Sequence, residues 1–220
     1  MLRFRPLRAV DVAACAALLR AEGVRGALLD EPLLVRLLAE RRLVARVFEE
    51  TAGAGPAIVR GCGLSALIAP EAAASAGRED AGDFVDRLLA SCRDAAPQLL
   101  DRARTAELNR AGRLHMVVLS FALGESDAAR IAAVTSVAHS AFLNAHSGYG
   151  LDSLIGVLRP WERKAAEYRA SLIAMGCRPQ PASRLDGSQV FALDAAQIER
   201  HPYHVLQSLF VRRTPQLALT

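Results

Sequence analysis

Apolar positions along the chain follow two alternating rhythms, and each predicts its own kind of element. Residues 1–9 set Leu2, Phe4 and Pro6 against Arg3 and Arg5, the period of a strand. Val12, Cys15, Ala16 and Leu19 then recur at helical spacing, with Asp11 as the expected cap and Gly23 as the stop. Leu33, Leu34, Leu37 and Leu38 mark a second helix, opened by Asp30-Glu31-Pro32 with proline in the first turn. Leu43–Glu50 and Ile58–Ile68 read as hairpin strands joined by TAGAGPA. Gly61 and Gly63 lie inside the second strand and imply a bulge or a close backbone approach, open to a ligand but with a tightly packed helix as the expected neighbour.

Residues 70–113 are expected to be a helical insertion that splits the sheet into two halves. PEAAASAGREDAG is a small-residue loop; Phe84, Leu88 and Leu89 share a helix that Pro97 breaks. Leu99, Leu100, Ala103 and Leu108 indicate another, ended by Gly112. The stretch from Leu114 to Pro179 then alternates: LHMVVLSFAL, the long helical SDAARIAAVTSVAHSAFLNAHSGYG, LDSLIGVL, and ERKAAEYRASLIAM closed by GCRP. Two βα steps in succession predict neighbouring parallel strands with helices packed on the sheet. A strand at Gln189–Leu193, a short helix at Ala195–Arg200 and a last strand at Val205–Val211 complete the reading. No repeat or low-complexity linker interrupts it, so one α/β domain over 1–220 is expected.

Composition narrows the classes of function. The 220 residues are 52% hydrophobic and 23% charged, a globular profile. The net charge of +4 comes almost wholly from arginine, Lys164 being the only lysine. Those arginines are scattered among Asp and Glu, without the clustering a nucleic-acid surface needs. No apolar run reaches the ~18 residues of a membrane span, and the N-terminus has no signal-peptide core. A cytoplasmic protein with no membrane partner is expected. Cys15, Cys62, Cys92 and Cys177 show no CxxC pair, so neither a disulfide nor a metal site is expected.

The polar candidates are few. His139 and His146 share a helical stripe with Thr135 and Phe142, but two turns (~10 Å) separate them, too far for one metal. They remain candidates for ligand contact. His115 has no carboxylate beside it in sequence and reads as a satisfied, half-buried imidazole. HSGYGLDS, residues 146–153, is the densest polar cluster, with Tyr149 and Asp152 as exposed contact candidates. Ser120 follows an apolar strand but lacks the glycines of a nucleophile elbow, and is given no catalytic role.

RPLRAVDVAACAALL and YRASLIAMGCRP resemble the first strand and helix, and the last helix and turn, of GNAT-type N-acyltransferases. The element order is similar over most of the chain. The resemblance implies a mixed, mostly antiparallel central sheet flanked by helices, with the insertion at 70–113. It further implies acyl-coenzyme A held by a Gly-rich turn at a helix start, and a tyrosine of the last helix as general acid. The matching turn here is ALGESDAARIAA. It offers Gly124 and Ser126 as cofactor candidates, but Glu125 and Asp127 stand where a pyrophosphate would lie. The tyrosine position, four before Gly176, holds Leu172; Tyr168, one turn earlier on the same face, is the single catalytic candidate. On this balance neither a catalytic residue nor a cofactor is expected, with acetyl-CoA and transfer to an unknown amine as the alternative.

A narrower resemblance rests on GLSALI, LLDRARTAELNRAGRLHMVVLSF, AFLNAHSGYGLDSLI and HPYHVLQSLFVRRTPQLALT. These stretches resemble the N-terminal regions of bacterial LuxR-type helix-turn-helix transcriptional regulators. That implies a non-catalytic sensory domain of a transcription regulator, whose cleft takes a small-molecule ligand or holds a homodimer; a pure dimerisation module is the further alternative. DNA would then be reached only through a domain following Thr220.

Overall fold

In a computed structural model of the chain, the described residues are 2–50, 57–76, 84–93, 97–124, 150–174, 176–180, 187–194 and 196–197. Ser126, His139, His146, Tyr149 and the strand expected at 205–211 lie outside them.

The strands are β1 (Leu2–Pro6), β2 (Val44–Glu50), β3 (Ile58–Ile68), β4 (Leu114–Leu123), β5 (Leu151–Leu158), β6 (Arg178–Pro179) and β7 (Gln189–Asp194). They form one seven-stranded sheet in the order β1-β2-β3-β4-β5-β7-β6. Every neighbouring pair is antiparallel except β4–β5. The mixed, mostly antiparallel sheet flanked by helices is therefore what the chain forms. Two expectations change. The second βα step does not place parallel strands side by side, because β7 inserts between β5 and β6. The 70–113 segment interrupts the sequence but not the sheet, since β3 pairs directly with β4.

Helices α1 (Val12–Ala21), α2 (Glu31–Ala39), α3 (Pro70–Ser75) and α4 (Phe84–Ser91) cover one face. Their stripes, such as Val12, Cys15 and Leu19, bury against Val47, Leu64, Val117 and Ile155 of the sheet. Helices α5 (Arg102–Arg110) and α6 (Ala165–Ala174) bring Leu108, Tyr168 and Leu172 to the other face, onto Met116, Leu154 and Phe191. Asp30 caps α2 as expected, its Oδ1 accepting from the Leu33 amide at 3.0 Å. Asp11 makes no such cap for α1. Its carboxylate instead takes both Arg5 guanidinium nitrogens, at 2.6 and 2.8 Å, and the Arg8 amide at 2.8 Å. Gly61 is tight for a reason other than a helix: a Cβ there would lie 2.5 Å from Phe48 and 2.7 Å from Leu123, its cross-strand neighbours.

One irregularity positions the site. Leu64 pairs with Ser120 and Ser65 with Val118, so Leu119 is an extra residue in β4. The facing of side chains slips by one at this bulge. Met116 and Val118 belong to the second core and Leu119 to the first, yet Phe121 is again in the second. A bulge bends and twists its strand. Pairing of β4 with β5 stops at the same level, at Val118–Gly156. Beyond it the two parallel strands diverge into a fork.

Candidate active site

The fork holds a cavity of about 40 Å³ lined by Val118, Ser120, Gly156, Glu162, Tyr168 and Leu172. Its far end is closed by the turn between β5 and α6. Lys164, the sole lysine, is buried there against Glu22 at the end of α1 and donates to the carbonyl of Leu123, the last residue of β4. The Arg163 amide donates to the Glu22 carbonyl at 2.9 Å. Arg159 reaches Glu162 at 3.1 Å, and both are buried. The Trp161 carbonyl lies 3.0 Å from where a Cβ on Gly23 would stand, so glycine both ends α1 and admits this turn.

Tyr168 is brought in by α6. Its ring meets Phe121 edge-on at 5.4 Å, and Phe121 meets Phe48 at 5.5 Å. The hydroxyl does not reach the rim, as the helix pattern alone suggests; it is buried. Burial, with Glu22 and Glu162 nearby, raises its pKa well above the ordinary 10. The phenol is thus neutral over the whole working range. Glu162 is shifted upward too, by burial, against the pull of Arg159. Among the described residues, the Tyr168 hydroxyl and Ser120 Oγ have no hydrogen-bond partner although both are buried. Buried polar atoms are nearly always satisfied, by protein or by water, so two such hydroxyls in one cavity leave room there for a water or a polar ligand atom.

The remaining candidates fall elsewhere. Gly124 follows the fork, but its amide donates to the Arg60 carbonyl at 2.7 Å, so it is already engaged. His115 is held as expected, by Ser153 at 2.8 Å, with exposed Asp152 at 3.6 Å from its other ring nitrogen. That pair joins β4 to β5 at the paired end and is separate from the fork. Ser120, which the sequence offers without the glycines of a nucleophile elbow, lines the fork beside the bulge, and nothing in LHMVVLSFAL announces that bulge. Among the described residues no cluster of His, Cys, Asp and Glu could hold a metal, and no helix is long and apolar enough to cross a membrane.

A seven-stranded sheet forked between its two parallel strands is the GNAT-like acyltransferase fold, and comparison with solved structures agrees. FeeM, an N-acyl amino acid synthase from uncultured soil microbes, is similar over 94% of this chain and 98% of its own, with 12% identity and a TM-score of 0.51. GphF, a GNAT-like decarboxylase in complex with isobutyryl-CoA, is similar over 88% and 99%, with 20% identity and a TM-score of 0.51. No family model and no curated protein matches the sequence. These neighbours correct the expectation of a non-catalytic, cofactor-free regulatory domain: both are enzymes, and one holds an acyl-CoA. No finding supports a relation to LuxR-type regulators or a degenerate site.

Proposed function

We propose that this protein transfers an acyl group from acyl-CoA to an amine, with Tyr168 as general acid. The observation that carries the proposal is the buried, unpartnered Tyr168 hydroxyl in the β4–β5 fork. The fold alone does not choose a chemistry, since its neighbours include a synthase and a decarboxylase. The residues of the fork suit a thioester: two orphaned hydroxyls that need a polar partner, set between apolar walls. Acyl-CoA supplies the activated carbonyl and the thiolate leaving group.

Beyond Val118 the β5-facing edge of β4 pairs with no strand among the described residues, leaving backbone groups to align an extended substrate arm. Glu162 takes the proton from the attacking amine, a role its raised pKa suits. Tyr168 gives its proton to the departing sulfur, and the proton on Glu162 returns to the phenolate within the same cavity. The products are an amide and a free thiol. Ser120 is placed to hold the thioester oxygen or a water in the proton path.

The test is steady-state thiol release with acetyl-CoA and an amine panel. Tyr168→Phe is expected to lower kcat at least 10²-fold while leaving the affinity for CoA within threefold. Because Glu162 is raised above its ordinary 4.5, kcat should climb with pH along a limb lying above that value. Glu162→Gln should remove the limb. No loss from Tyr168 ionisation is expected below pH 10. Full activity in Tyr168→Phe would sink the assignment.

A further inference from the structure

A second, larger cavity of about 520 Å³ lies where β2 and β3 meet α5. Arg41, Arg42, Arg46 and Arg102 line it, along with Leu67 and Leu100. Among its described lining residues there is no carboxylate. Arg42 is already engaged, by Glu40 at 2.8 Å and the Leu99 carbonyl at 2.6 Å. Arg46 is different. It is half-buried, and among the described residues it has no acid or hydrogen-bond partner. Burial acts on it alone, lowering its pKa from the ordinary 12.5. A guanidinium stripped of water and left without a counter-ion is unfavourable unless an anion arrives.

Its place in the sheet relates it to the fork. Arg46 pairs with Gly63, and Gly63 with Phe121. Directly opposed residues share a face, so Arg46 and Phe121 stand on one side of the sheet, two strands and about 10 Å apart at the backbone. Phe121 carries the ring that touches Tyr168. Arg46 therefore stands on the same sheet face as the ring that touches the phenol, and it lines the larger cavity. Arg41 adds to the positive wall from an unfavourable backbone state: it takes φ 56, the sole left-handed non-glycine among the described residues.

From this geometry we infer that the acyl acceptor is an amino acid, its carboxylate paired with Arg46, its amine directed to the fork and its apolar side chain lodged along Leu67 and Leu100. The inference rests on the acyltransferase reading and names the acceptor class for it. A planar, bidentate fork on a carboxylate is what arginine does best.

The experiment compares leucine with leucinamide as acceptors of the acetyl group. Wild type should favour leucine by at least tenfold in kcat/KM. Arg46→Gln should lower kcat/KM for leucine at least 30-fold and for leucinamide no more than threefold. Arg46→Lys should keep part of the preference, which a collapsed fold would not. Equal losses on both acceptors, or a wild-type preference for leucinamide, would overturn the inference. Calorimetry with N-acetylleucine and its amide separates the two claims, because it needs no turnover. Silence of every amine in the transfer assay defeats the acyltransferase reading. A tenfold preference for the acid, lost in Arg46→Gln, still upholds the carboxylate site, and equal affinities overturn it.

Discussion

At Tyr168, function and stability pull in opposite directions, and that makes the residue informative. Its hydroxyl is buried without a partner among the described residues, a state that costs about 1–3 kcal/mol. Tyr168→Phe should therefore leave thermal stability unchanged or raise it by about 1 kcal/mol while removing turnover. A structural tyrosine would lose stability and keep activity, so a melting curve beside a rate decides between them. Arg41 gives a parallel case. A side chain in the left-handed region costs about 1 kcal/mol, so Arg41→Gly should stabilise by a similar amount in chemical denaturation. Asp11 sets the acid limit. Arg5 holds its carboxyl down at about 2, so the stabilisation is complete above the ordinary 3.8 and disappears as pH falls toward 2. Asp11→Asn should flatten the denaturation free energy between pH 4 and 2, a change of about 1–2 kcal/mol.

Elements decide which of these residues meet. The strands and helices were legible because their periodicities are long and uninterrupted: β3, β4 and β5 lie where alternation and apolar runs put them. The fork was not legible, since it depends on one extra residue, Leu119, that has no turn chemistry to announce it. Glu22 and Lys164 stand 142 residues apart, beyond the reach of any local pattern. A lone lysine one helical turn before Tyr168 was the only hint. Arg46 had a faint signal, as a cation on the same side of a strand as Val44 and Phe48. The turn bearing Lys164 is tied to the end of β4 through the Leu123 carbonyl and to the end of α1 through Glu22. Lys164→Met should cost about 3–5 kcal/mol by stranding the Glu22 carboxylate. Adding Glu22→Gln should recover much of that in a denaturation series, whereas additive losses would mean the pair is not coupled.

For the molecule as a whole, a bulge, a divergence of two parallel strands and a buried lysine pair combine to make a slot through an otherwise continuous sheet. One wall of that slot carries the neutral phenol, and the same side of the sheet, two strands away, carries a guanidinium with no acid or hydrogen-bond partner among the described residues. The acyl-CoA proposed above would lie in this slot, along the edge of β4 beyond Val118. Hydrogen exchange of the backbone amides with and without acetyl-CoA reads it most directly. The expected result is at least fivefold slower exchange at residues 119–123 and 157–158, with the amides of β1 and β2 unchanged. Millimolar acetyl-CoA that leaves the β4 and β5 amides untouched, or protects a different surface, would contradict it.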